Sequence, residues 1–93
     1  MHSQKIALVT GATRGIGFET CRQLAQSGAL VLLAGRRTSD AERAAAQLKA
    51  EGLSVEAVTL DVTDASQIAS LAAGIEARFG HLDILVNNAG VLL

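Results

Sequence analysis

The chain is 93 residues long, with 49% apolar and 18% charged residues, which excludes a disordered segment and leaves room for one modest domain. Eight Lys plus Arg against nine Asp plus Glu leave a net charge of −1, without the basic excess that a nucleic-acid partner requires. The single cysteine, Cys21, excludes an internal disulfide and a cysteine-based zinc site.

Aromatic residues are only Phe18 and Phe79, so a core must be built from Val, Leu, Ile and Ala. The longest apolar run, residues 29–34, falls far short of the roughly 20 residues that span a bilayer. No charged-then-apolar leader precedes it, and a cytoplasmic location is the expectation. His2 and His81 lack metal-ligand spacing to any partner and are expected to be solvated.

In chain order, the apolar run 5–10 (KIALVT) reads as a buried strand ending at Gly11. Residues 15–27 follow with helical spacing, Ile16, Thr20 and Leu24 sharing one face and Gly28 closing the end. A second strand is expected over 30–34, bounded by Gly35. Ser39 and Glu42 stand at capping-box spacing, and the helix they open is expected to bury Ala41, Ala44, Ala45 and Leu48 before stopping at Gly52.

A third strand is predicted over 55–60. A third helix opens at Asp64, with Gln67 three residues on, and closes at Gly80. Its stripe of Ile68, Leu71, Ala72, Ile75 and Phe79 is the cleanest periodicity in the chain. A fourth strand is predicted over 84–86. Arg22, Arg43 and Arg78 fit exposed helix faces, and Cys21 a packed mid-helix position.

Strands joined through helices run parallel with right-handed crossovers. The expected fold class is therefore α/β, a Rossmann-type open parallel sheet in the order β-α-β-α-β-α-β.

The segment Thr10-Gly11-Ala12-Thr13-Arg14-Gly15-Ile16-Gly17 lies where the first strand passes into the first helix. There Gly11 can turn the chain with positive φ, Gly15 can admit a phosphate to the backbone, and Gly17 can let the helix approach the strand. Amides at a helix start favour an anion. A plain strand-to-helix turn needs fewer glycines. Without Lys-Ser or Lys-Thr, the loop is not a nucleoside-triphosphate P-loop.

Thr-Gly-x3-Gly-Ile-Gly closely resembles the cofactor loop of the short-chain dehydrogenase/reductase family. Asp61-Val62 and Asn87-Asn88-Ala89-Gly90, each after a strand, add to the resemblance. It covers essentially the whole chain but only the N-terminal part of the family's usual length. It implies a strand order of 3-2-1-4, truncated, with residues 1–93 forming the dinucleotide-binding half and the catalytic half absent.

By the same resemblance, Gly11, Thr13, Arg14, Gly15, Ile16 and Gly17 would hold pyrophosphate and ribose, and Asp61 and Val62 would lie against adenine. Asn88, Ala89 and Gly90 would line the adenosine side, with Asn87 bracing strands. For Asp61, a strand-end turn or helix cap is the alternative.

An NAD site places a carboxylate about 20 residues beyond the glycines, at the end of the second strand. Here that place reads Gly35-Arg36-Arg37. A guanidinium binds a 2′-phosphate that a carboxylate repels. Arg36, Arg37 and Arg14 therefore point to NADP(H) as the cofactor, a solvated turn being the alternative.

Family chemistry uses a Tyr acid/base with a nearby Lys and a Ser. This chain has no Tyr; Lys5, Lys49 and its serines offer no substitute, so no catalytic residue is assigned. The expected function is the NADP(H)-binding half of an oxidoreductase interconverting carbonyl and alcohol groups, binding nucleotide without catalysis. The alternatives are a non-catalytic nucleotide-binding module or a minimal fold that self-associates. A homo-oligomer through the fourth strand and the Val91–Leu93 tail is expected, with neither nucleic acid nor membrane as a partner.

Overall fold

In the computed structural model, residues 4–88 are described. They alternate β1 (Ile6–Thr10), α1 (Gly15–Gln26), β2 (Leu30–Gly35), α2 (Thr38–Lys49), β3 (Val55–Thr59), α3 (Ala65–Phe79) and β4 (Ile84–Asn87). The four strands form one parallel sheet in the order β3-β2-β1-β4. The expected topology and strand order are thus present. His2, Ala89, Gly90 and the Val91–Leu93 tail lie outside the described residues.

Side chains alternate across a strand, so each strand feeds two apolar layers. Ala7, Val9, Val31, Leu33 and Val55 pack with Cys21 and Ala25 of α1 and with Ala41, Ala44, Ala45 and Leu48 of α2. Ile6, Leu8, Leu32 and Ala34 face the other way, toward Leu60 and Ile75. Small residues on α1 and α2 bring these helices close to the sheet, which explains how a chain nearly free of aromatics fills its core.

The expected α2 face is the one observed, but its start differs. The N-cap is Arg37, without a side-chain cap bond, and Ser39 lies inside the helix. No Ser39–Glu42 capping box forms. The α1 face is corrected as well. Ile16 is 79% exposed, while Gly17, Cys21 and Ala25 are buried. The smallest side chains point inward because only they fit between helix and sheet.

On α3 the apolar stripe is real but sparsely covered: only Ile75 is buried, and Ile68 is 45% exposed. Asp64 caps this helix as expected, its side chain accepting from the amides of Ser66 and Gln67. Gly80 ends it in the left-handed region at φ 77°.

Arg78 and His81 are exposed as expected, while Arg22 is half-buried, and all three have partners. Arg22 pairs with Glu19 and, at 2.9 Å, with Glu51, while its guanidinium sits 5.2 Å from the centroid of the Phe18 ring. Arg78 makes two 3.0 Å bonds to the Glu56 carboxylate and stacks on Phe79. His81 sits 3.0 Å from both the Phe79 carbonyl and Asp83 Oδ2. Cys21 is fully buried, and desolvation pushes its thiol up to about 12, as expected for a packing residue rather than a nucleophile.

Candidate functional site

All three β-to-α junctions on one side of the sheet open at the carboxyl ends of strands. That is where an open parallel sheet binds ligands. At the first junction Gly11 has φ 58° and Gly15 φ 64°, values an L side chain rarely adopts. A Cβ on Gly15 would meet nothing within 4 Å, so the backbone there faces open space.

Gly17 has a different task from the one expected. A Cβ on it would lie 2.4 Å from the Gly11 carbonyl oxygen and 2.7 Å from Asn88 Nδ2. Its missing side chain lets α1 approach the loop and the end of β4, rather than the body of a strand.

Nothing in α1 itself satisfies its amino end. Arg14 is the N-cap with no side-chain cap bond, and no acidic residue stands in the first turn. The contrast with α3, where Asp64 caps the amides, is direct. An uncapped start with its dipole exposed is suited to an anion.

Between the ends of β1, β2 and β3 and the flank of α2 lies a cavity of about 790 Å³. Of the residues singled out from the sequence, Gly11, Thr13, Arg14, Arg36, Arg37, Asp61 and Val62 line it. Gly15, Ile16 and Gly17 lie along the start of α1 beside that wall. Asn88 stands apart: its Nδ2 donates to the Gly11 carbonyl at 3.0 Å, and its backbone N–H donates to Thr10 Oγ1 at 3.0 Å. Thr10 Oγ1 in turn donates to Asn87 Oδ1 at 2.8 Å, consistent with a bracing role for Asn87. Ala89 and Gly90 are outside the described residues.

The wall also includes residues that sequence reasoning missed. Asp40, Arg43, Ala44 and Gln47 come from α2, with Leu60 and Thr63 from the segment after β3; Gly35, already singled out, lines it too. The helical spacing of 40, 43, 44 and 47 was a usable signal, because two successive turns of α2 present all four to one side.

The electrostatics favour an anion. Arg14, Arg36, Arg37 and Arg43 stand on the wall against Asp40 and Asp61. Arg43 approaches Asp40 only at 4.0 Å. Among the described residues, Arg14, Arg36 and Arg37 form no ion pair. Asp61 is engaged within its own turn, its Oδ1 accepting from Thr63 Oγ1 at 2.7 Å and Thr63 N at 2.9 Å. These bonds, with a smaller attraction from Arg36, hold its carboxyl below the usual range. The turn reading of Asp61 and its place on the cavity wall therefore coexist.

Comparison with known proteins then decides the family. The family model "short chain dehydrogenase" matches residues 5–93. The chain belongs to the short-chain dehydrogenase family. An uncharacterized oxidoreductase, YxjF, of Bacillus subtilis is 46% identical over 88 residues, covering 95% of this chain and 34% of the relative. Menthone neomenthol reductase from Mentha piperita superposes with a TM-score of 0.90 at 44% identity, covering 97% of this chain and 33% of its own.

A metagenomic short-chain oxidoreductase in complex with NADP superposes with a TM-score of 0.87 at 39% identity, covering 94% of this chain and 39% of its own. The chain thus spans about a third of the length of the proteins it matches. Among the described residues, no helix is long and apolar enough to cross a membrane.

Proposed function

We propose that residues 1–93 are the NADP(H)-binding half of a short-chain oxidoreductase that interconverts carbonyl and alcohol groups, and that by themselves they bind nucleotide without catalysis. The observation that carries this reading is the set of unpaired guanidiniums, Arg14, Arg36 and Arg37, on one cavity wall where β2 ends in glycine rather than a carboxylate. The family, and a similar oxidoreductase in complex with NADP, support it.

The uncapped amides at the start of α1 and the open side of Gly15 suit a pyrophosphate. Arg36, Arg37 and Arg14 would hold the 2′-phosphate, with Asp61 and Val62 against the adenine. When bound, the nicotinamide would supply a hydride. The acid/base work falls to a Tyr, and this sequence contains none. Asn88, Ala89 and Gly90 belong to the same proposed site, Asn88 by holding the loop in shape.

Calorimetric titration with 2′,5′-ADP and with 5′-AMP tests the reading. Preference for the doubly phosphorylated probe is expected, with no NADPH consumption in the presence of ketones or aldehydes. Equal affinities would overturn the choice of cofactor.

The second reading is self-association, favoured by β4. It pairs only with β1 among the described strands, and its own Leu85 is 61% exposed. Leu85, Leu82 and Ile68 line an apolar groove of about 400 Å³ between α3 and the sheet face, which reaches β4. An open strand edge next to apolar surface invites a second copy.

A further inference from the structure

One packing contact on the cavity wall is tighter than ordinary side chains tolerate. Gly35, the last residue of β2, is buried, and a Cβ placed on it would lie 2.5 Å from Thr13 Cγ2 and 3.6 Å from Ala41 Cβ. Thr13 belongs to the glycine loop, and the loop is tied to β2 one residue earlier, where Ala12 N–H donates to the Ala34 carbonyl at 3.1 Å. The Gly35 carbonyl accepts from Leu60 N–H at 2.9 Å, so the strand end is tied as well. Neither backbone can yield without breaking one of these bonds.

We propose that Thr13 is a specificity-determining residue, its methyl group filling the space that an acidic side chain at position 35 would need. This rests on the NADP(H) reading of the arginines and adds a steric component to it. Charge alone would allow a single substitution, Gly35→Asp, to convert the ribose site, since a carboxylate there accepts from a free 2′-hydroxyl. Packing opposes that single step, because the Thr13 methyl must first leave the position it holds here.

Threonine carries two heavy atoms on Cβ, so two of its three staggered positions point one of them at position 35. Serine carries one and leaves two positions clear. Threonine thus keeps one clear position and serine two, so loss of one methyl group at Thr13 is the change that makes room most readily.

The test uses the full chain with 2′,5′-ADP and 5′-AMP, probes that differ only in the 2′-phosphate. Gly35→Asp alone is expected to weaken both about tenfold or more, because the displaced loop no longer presents its amides. The pair Thr13→Ser with Gly35→Asp should bind 5′-AMP within roughly threefold of the parent chain while staying weak for 2′,5′-ADP. Equal 5′-AMP affinity of the single and double variants would overturn the proposal.

Gly35→Ala gives a readout that needs no nucleotide. Its thermal midpoint should fall by about 5 °C, and Thr13→Ser in the same chain should recover most of that loss. Purely additive midpoints would overturn the steric coupling. A parent chain that binds both probes equally would sink the NADP(H) reading instead, while the midpoints still report whether positions 13 and 35 compete for one space.

Discussion

Asn88 Nδ2 donates a 3.0 Å hydrogen bond to the Gly11 carbonyl, joining the end of β4 to the glycine loop across 77 positions of sequence. The bond fixes the peptide that turns with φ 58° ahead of α1. Asn88→Ala should therefore destabilise the chain by about 1 kcal/mol, the net value of one such bond. Nucleotide affinity should fall with it. Chemical denaturation and calorimetry check both.

Gly17→Ala addresses the same corner by overcrowding. Its new methyl would press on the Gly11 carbonyl at 2.4 Å, and a backbone atom cannot step aside cheaply. A loss of roughly 2 kcal/mol or more is expected, larger than for an exposed helix position where alanine normally helps. A neutral or stabilising result from urea unfolding would contradict the packing described.

Arg36→Ala separates charge from shape. The affinity for 2′,5′-ADP should drop about tenfold or more, while that for 5′-AMP changes little, because only the former carries the extra phosphate. Parallel loss of both would show that Arg36 holds the adenine or the loop rather than the phosphate.

Acid sensitivity is expected from Asp83. Its Oδ2 accepts from Ile6 N–H at 2.7 Å, and that bond leads the influences holding its carboxyl below the ordinary value of 3.8. A depressed carboxyl contributes stability above its unfolded pKa and loses it as pH falls through the folded value. The unfolding midpoint should decline as the pH drops below 3.8. The fall should be shallower in Asp83→Asn, which has no charge to lose. Thermal melts across acid pH provide the measurement, and identical profiles would contradict the assignment.

Leu85→Lys tests the exposed edge. The residue is 61% exposed, so a change there should leave folding intact while setting a charge on the apolar groove. Light scattering should show association in the parent chain and a monomer in the variant. A parent chain that stays monomeric at high concentration would remove the self-association reading.

Much of this was legible before any coordinates. Alternating strand and helix periodicities, with Gly28, Gly52 and Gly80 at positive φ after the helices, specify the element order. They do so because both the apolar pattern and the left-handed residues are local properties. The α2 face of Ala41, Ala44, Ala45 and Leu48 and the Asp64 cap are local in the same sense. So is the glycine loop, whose spacing places Gly11 and Gly15 where the turn needs them.

What the amino-acid order could not decide was which small residue meets which distant one. Gly17 against Gly11 and Asn88, Thr13 against Gly35, and Arg22 bridging to Glu51 join positions that only the closed sheet brings together. Ile16 and the α3 stripe look equally apolar on paper, yet the tertiary arrangement leaves Ile16 and Ile68 exposed. Periodicity reports that a face is apolar. Coverage of that face is a matter of what packs against it, and this is settled in three dimensions.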